Sequence, residues 1–125
     1  MISELERNLA RLSLIEEKFE YTDAKLKKMR HLSQKLVSRV RYVIKNLDIQ
    51  PKIYPTPRGS LQIQYEPKDD SYYEAELFKD GKVSVMVIPE NKDYENAIFY
   101  DFTDRPKKLI DSMNQFAREC EIDGD

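Results

Sequence analysis

The side chains whose type and spacing could do chemistry are two carboxylates, Glu74 and Glu76, two positions apart in a strand-like segment. Alternate residues of a strand point to the same face, so the pattern places both carboxylates side by side. Paired carboxylates perform acid–base chemistry when their environments differ enough to give them different roles. We expect both to lie in water, with Gln62, Gln64 and Tyr72 on the same face. The pattern therefore indicates a solubilising face or an acidic docking surface for a protein.

The remaining reactive residues do not form a catalytic set. His31 is the sole histidine and Cys120 the sole cysteine. Nucleophilic catalysis needs a base held by an orienting group, and the neighbours of His31 on its predicted helix are basic. One histidine and one cysteine are too few for a metal site, and three glycines provide no phosphate-binding loop. We therefore predict no catalytic residue, no metal and no cofactor, and a protein that is not an enzyme.

A run of basic residues is the sharpest feature of the charge distribution. Between residues 24 and 47 the chain carries eight bases and no acid, so the rest of the chain sums to −10. On a helix, Lys28, Lys35 and Arg39 could align on one side, where Tyr42 could contact nucleic-acid bases. The same charges could instead be solvated, pair with glutamates of the preceding helix, or meet a protein partner or a second copy. The sequence leaves these alternatives open.

Three predicted strands form an antiparallel meander whose register follows from turn chemistry. They span residues 60–66, 72–78 and 82–88, each with one apolar face. A two-residue turn at Asp80-Gly81 would turn Glu74 and Glu76 inward, and burying unpaired carboxylates is costly. A three-residue loop with Gly81 in the left-handed position keeps both acids outside. The predicted cross-strand rows are Leu61–Leu77–Val83, Ile63–Ala75–Val85 and Tyr65–Tyr73–Val87.

Apolar periodicity assigns the other elements around this meander. The predicted elements are helices at 2–19 and 24–47, an edge strand at 52–54, a strand at 96–102 and a helix at 104–120, with a connection at 20–23, a polar loop at 90–95 and an acidic tail at 121–125. The expected helix caps are Ser3 with Glu6, then Thr22 or Asp23, then Thr103 or Asp104. The first two helices form an antiparallel hairpin on the apolar face of the meander.

Together these elements predict an α+β fold in a single domain spanning residues 1–125. The helical hairpin occupies 1–47, a four- or five-stranded, mainly antiparallel sheet 52–102, and the last helix packs on the same face at 104–120. No apolar run is long enough to span a membrane, and the first residues lack the core of a signal peptide. We therefore expect a cytoplasmic protein without membrane contact.

One stretch resembles a loose group of small uncharacterised bacterial and phage proteins. These share a Pro-Thr-x-x-Gly-Ser-Ile-Gln-apolar-Glu-Tyr hairpin, which residues 54–66 (YPTPRGSLQIQYE) resemble, followed by a strand similar to residues 73–77 (YEAEL). The chain departs from the pattern at Gln64, where the group has glutamate, and at Ala75, where it has a larger apolar residue. The resemblance implies a phage or mobile-element accessory protein and supplies no activity. Within the motif, Gly59, Gln62 and Glu74 could serve function or hairpin architecture.

The sequence therefore favours a non-enzymatic protein-binding module, such as an inhibitor, an antitoxin-like protein or an anti-defence accessory. Its predicted surface is the acidic sheet face with Gln62, Gln64, Tyr72, Glu74 and Glu76. The alternative is a nucleic-acid-binding protein that uses the basic helix from residue 25 to 45. Homodimerisation through the helices is left open.

Overall fold

The computed structural model describes residues 2–23, 27–89 and 94–120. The elements in chain order are α1 (Glu4–Asp23), α2 (Lys27–Lys45), β1 (Lys52–Pro55), β2 (Leu61–Tyr65), β3 (Tyr72–Leu77), β4 (Val83–Ile88), a 3₁₀ turn (Tyr94–Asn96), β5 (Ile98–Asp101) and α3 (Pro106–Glu119). Within these ranges the sheet has five strands in the order β1-β2-β3-β4-β5, and each neighbouring pair is antiparallel. The predicted α+β class, with two N-terminal helices and a C-terminal helix, is confirmed.

The register of the meander is the predicted one. Ile63 pairs with Ala75, and Ala75 pairs with Val85, with the flanking rows in the same register. The β3–β4 hairpin closes through the Phe78 N–H, which donates to the Lys82 carbonyl at 2.9 Å. Gly81 has φ +96°, a backbone conformation that L side chains rarely adopt. Turn chemistry and strand alternation therefore fix the same register, because a one-residue slip would reverse every side chain.

One face of the sheet carries the core. Its alternate residues join buried residues from all three helices in a single hydrophobic cluster. At one end of the cluster Phe116 of α3 stacks on Tyr65 and also meets Tyr73, with ring centroids 6.1 and 5.3 Å apart. The Tyr73 hydroxyl donates to the Ser112 Oγ at 2.8 Å. Burial raises the pKa of Tyr73 to about 12, so this hydroxyl remains a donor at neutral pH.

The first helix begins at Glu4, two residues later than predicted, and continues further than predicted. Ser3 caps it, because its Oγ accepts the Glu6 N–H at 3.1 Å. The expected connection at 20–23 is wrong, since α1 continues to Asp23. Thr22 donates its hydroxyl to carbonyls of the preceding turn and so belongs to the helix. Asp23 accepts hydrogen bonds from Ser33 and Lys79. The predicted start of the second helix at residue 24 lies outside the described residues.

The last helix begins at Pro106, two residues later than expected. Its N-cap residue is Arg105, which makes no side-chain capping bond, and Pro106 occupies the first turn. The prediction of Thr103 or Asp104 as the cap is wrong, because the Thr103 Oγ accepts the Val83 N–H at 3.0 Å instead. Asp104 adopts a positive φ of 59°. The Thr103 hydroxyl therefore serves the end of β4.

The last strand is shorter than predicted. Residues 98–101 form β5, and residues 94–96, part of which was expected in a polar loop, form the 3₁₀ turn. All four residues of β5 are exposed, including Ile98, Phe99 and Tyr100. Residues 90–93 and the predicted tail at 121–125 lie outside the described residues. No described helix is both long enough and apolar enough to cross a membrane.

Candidate partner-binding face

The face of the sheet opposite the core carries the predicted docking residues. We call it the open face, because the buried residues of α1, α2 and α3 cluster with the other face. The strand pairing arranges it in two main cross-strand rows. One row is Lys52–Gln64–Glu74–Met86–Phe99, and the other is Tyr54–Gln62–Glu76–Ser84–Asp101.

Four of the five predicted residues form one hydrogen-bonded network at the centre of the open face. The Tyr72 hydroxyl donates to Gln64 Oε1 and to Glu74 Oε1, each at 2.9 Å. Gln62 Nε2 donates to the same two oxygens at 3.0 and 3.2 Å. Burial, and then the hydrogen bond to Glu74, raise the pKa of Tyr72 well above its usual range. The Tyr72 hydroxyl therefore stays protonated and holds the Glu74 carboxylate in place.

Glu76 lies beside this network but is not solvated, so the expectation that both glutamates lie in water is wrong for this residue. Its side chain is only 12% exposed. Arg58 binds it with two bonds, Nε to Oε2 at 3.0 Å and Nη2 to Oε1 at 2.8 Å, and Ser60 donates its hydroxyl to Oε2. Arg58 reaches Glu76 because the turn before β2 reverses the chain, with the Gly59 N–H donating to the Thr56 carbonyl at 3.1 Å. The open face is therefore less acidic than its sequence indicates.

The aromatic part of this face was not predicted from the sequence. Phe99 pairs with Met86, which pairs with Glu74, so an exposed aromatic ring continues the row beyond the polar network. Phe99 is 72% exposed, and the neighbouring 3₁₀ turn presents an exposed Tyr94. Aromatic residues are enriched in protein interfaces and often act as anchors. The β4–β5 register would have revealed Phe99, but β5 lacks the apolar–polar alternation that fixes a register.

The four residues of the predicted nucleic-acid surface are only partly brought together. Lys28, Lys35 and Tyr42 are exposed on α2, and their spacing of seven residues places them along one side of the helix. Arg39 lies on the same helix but is half-buried, and its Nη1 is buried without a hydrogen-bond partner. Of the predicted pairing between the first two helices, the described residues show Arg41 Nη2 bound to Glu16 Oε2 at 2.9 Å.

The residues considered for catalysis stand in different surroundings. His31 is exposed on α2, and Cys120 follows α3, where its Sγ accepts a hydrogen bond from the Ser71 Oγ at 3.4 Å. In the part of the chain that the structure describes, no group of three or more His, Cys, Asp or Glu side chains is arranged to hold a metal ion. These residues therefore provide no basis for proposing a reaction.

Comparison of the chain with protein-family models, with curated proteins and with solved structures finds no match. The resemblance of the first hairpin to small bacterial and phage proteins therefore stays a prediction.

Proposed function

We propose that this protein is a non-enzymatic protein-binding module and that its partner contacts the open face. The observation that carries the proposal is the hydrogen-bonded network of Gln62, Gln64, Tyr72 and Glu74, which continues into the exposed ring of Phe99. Polar groups that are already fixed lose little side-chain entropy when a partner arrives. An exposed aromatic ring supplies apolar area that the partner can bury.

The size of the open face indicates how the partner must sit. Five strands about 4.8 Å apart and about five residues long present a projected area of roughly 300 Å². A stable protein interface buries about 800 Å² on each partner. The partner therefore also has to cover the rim, where the Arg58 turn lies at one side and Tyr94 at the other. Arg58 retains 65% side-chain exposure and can accept such contacts.

We further propose that the binding activity serves an inhibitor, an antitoxin-like protein or an anti-defence accessory of a phage or mobile element. The support is the hairpin resemblance of residues 54–66 and 73–77. A protein-binding module of this kind acts by occupying a surface of its target.

Site-specific photo-crosslinking tests the proposal. A photoreactive amino acid is placed at Phe99 on the open face and, as a matched control, at Leu14, an apolar residue of α1 that is 67% exposed. In cells that naturally produce the protein, we expect the Phe99 position to crosslink to one protein and the Leu14 position to give only background. The substitution Phe99→Ser should abolish co-purification of that protein, and Leu14→Ser should not. Equal crosslinking at both positions, or capture that survives Phe99→Ser, would contradict the proposal.

A second candidate function, nucleic-acid binding, is favoured by one observation. Lys28 and Lys35 are exposed on one side of α2, and no ion pair within 4.0 Å joins either to another described residue. If α2 binds nucleic acid, affinity should fall steeply with salt, with a slope of about 0.9 in log–log form for each phosphate contact on duplex DNA. The double variant Lys28→Ala and Lys35→Ala should reduce the magnitude of that slope by about 1.8, the value for two phosphate contacts. The control pair Lys107→Ala and Lys108→Ala on α3 should not, and absence of binding at low salt would exclude this candidate.

A further inference from the structure

A cleft of about 410 Å³ lies on the core side of the sheet, between α2, the start of α3 and the β3–β4 hairpin. Its walls are mainly apolar and are formed by Val43, Leu77, Val83, Phe102 and Leu109. Pockets that hold small organic molecules have volumes of roughly 300–1,000 Å³ and are lined in this way, with a few polar groups that fix orientation. The cleft is therefore large enough for a small ligand.

Arg39 supplies a positive charge at the wall of this cleft. Its Nη1 is the one side-chain nitrogen or oxygen among the described residues that is buried without a hydrogen-bond partner. A buried donor on a charged group is costly when it is unpaired, so native proteins rarely retain one without a role. The guanidinium lies close to Gly81, because a Cβ built on that glycine would stand 3.6 Å from Arg39 Nη2. The charge is thus held at the wall of the cleft.

Asp104 limits which anion can meet this charge. Asp104 Oδ1 lies 3.7 Å from the position that a Cβ on Gly81 would occupy. Among the described residues, Asp104 and Arg39 nevertheless form no ion pair within 4.0 Å. A dianion such as phosphate at Arg39 would be repelled by the nearby carboxylate of Asp104. A singly charged carboxylate experiences less repulsion and matches the fork of the guanidinium with two parallel hydrogen bonds.

From these observations we propose that the cleft is a binding site for a small molecule with an apolar body and one carboxylate. The carboxylate pairs with the guanidinium of Arg39, which lines the cleft. The apolar body lies against Leu77, Val83 and Leu109. The N-cap residue Arg105 and the first residue of α3, Pro106, also line the cleft, so the positive end of that helix adds to the attraction.

Titration of the full chain with benzoate, followed by amide chemical shifts in NMR, tests this proposal. Benzamide is the neutral probe of the same shape, and inorganic phosphate, used at about pH 8 where it is mainly a dianion, is the dianionic probe. We expect benzoate to shift the amides of Gly81, Val83 and Leu109 in a saturable way, with a dissociation constant on the order of 1–10 mM. Benzamide and phosphate should each bind at least about tenfold more weakly, because neither can form the charged, bidentate pair free of repulsion.

Variants assign the binding to the guanidinium. Arg39→Met should reduce benzoate affinity to that of benzamide, and Arg39→Lys should give an intermediate value. Lys35→Met removes an exposed charge one turn earlier on α2 and should leave the affinity unchanged. If the Arg39 variants do not fold, the comparison of the three probes on the unaltered chain still decides. The proposal is overturned if benzoate and benzamide bind equally well or if phosphate binds more tightly than benzoate. It is also overturned if the amide shifts occur outside the cleft or do not saturate.

Discussion

Replacing Asp23 by asparagine separates two roles that this residue could have. The sequence suggests a helix N-cap, whereas the structure pairs its Oδ2 with Lys79 Nζ at 2.8 Å. Asparagine is as good an N-cap as aspartate, so a capping role predicts almost no change in stability. An ion-pair role predicts a clear loss, because Lys79 would keep its charge without a counter-ion.

The size of the expected loss follows from burial. The two side chains are 13% and 14% exposed, so the pair is largely but not fully removed from water. Breaking a fully buried pair costs about 3–5 kcal/mol. We expect about 2 kcal/mol here, because residual hydration and the ring of Phe19, 4.6 Å from Lys79 Nζ, still stabilise the ammonium group. For a chain of this length that corresponds to a decrease of about 6–10 °C in Tm.

The pH dependence gives an independent check on Asp23. Burial raises the pKa of this carboxyl, but hydrogen bonds from Lys79 and Ser33 and the charge of Lys79 outweigh it, so the pKa is lowered from its ordinary value of 3.8. A lowered folded-state pKa contributes stability that is fully present above 3.8 and is lost as the pH falls through the lower folded value. The stability difference between the natural chain and Asp23→Asn should therefore be constant from about pH 5 to pH 7 and should shrink below the ordinary pKa.

Urea unfolding at several pH values measures both effects. Asp80→Asn is the matched control, because Asp80 is exposed, adjoins Lys79, and its bond to the Lys82 N–H can be kept by asparagine. A double-mutant cycle with Lys79→Met should give a coupling energy of about 1–2 kcal/mol. A loss below about 0.5 kcal/mol for Asp23→Asn, or a difference that persists unchanged at low pH, would refute the ion-pair explanation.

Three further predictions concern other described contacts. Arg39→Met should raise the free energy of unfolding of the ligand-free chain by about 1 kcal/mol, because it removes the buried unpaired Nη1. If urea denaturation instead gives a lower free energy of unfolding for this variant, Arg39 stabilises the fold and the prediction is wrong. Glu76→Gln should lower stability by about 1 kcal/mol, discounted for the exposure of Arg58, whereas the same change at the exposed Glu66 should be neutral. Tyr73→Phe should lower the free energy of unfolding by about 1 kcal/mol at neutral pH, because it removes the hydrogen bond to Ser112. The pKa of Tyr73 is raised from 10.0 to about 12 in the folded chain, so the natural chain should lose stability as the pH rises above 10. The variant, which lacks the hydroxyl, should lose less stability over the same range.

The register of the sheet could be predicted from the sequence because its determinants are local. Gly81 selects the loop, and the alternation of apolar residues selects the face that it buries. Each determinant lies within one turn or one strand, and the two agree. The ends of the helices were harder to predict, because Thr103 and Asp23 form hydrogen bonds with residues far away in the sequence. Thr103 accepts from Val83, and Asp23 binds Lys79, 56 positions away. Capping preference cannot anticipate a side chain that is needed elsewhere.

The candidate site was predicted in outline for the same reason. Strand alternation placed Gln62, Gln64, Tyr72, Glu74 and Glu76 on one face, as the structure has them. It could not place Arg58, whose route to Glu76 depends on a turn in three dimensions. Nor could it place Phe99, because β5 lacks the apolar–polar alternation that would fix its register with β4. A charge that appears solvated in a pattern can thus be neutralised by a residue from another element.

The two proposed surfaces use opposite sides of the same strands, which makes their tests separable. Leu77 and Val83 line the cleft, while their neighbours Glu76 and Ser84 face the opposite side. Successive residues of a strand point to opposite faces, so Arg39→Met alters only the cleft and Phe99→Ser only the open face. If the surfaces act independently, Arg39→Met leaves capture of the open-face partner unchanged. If a carboxylate ligand instead alters partner affinity, linkage requires the partner to alter ligand affinity by the same factor, and the shared β3–β4 hairpin is the element that joins them.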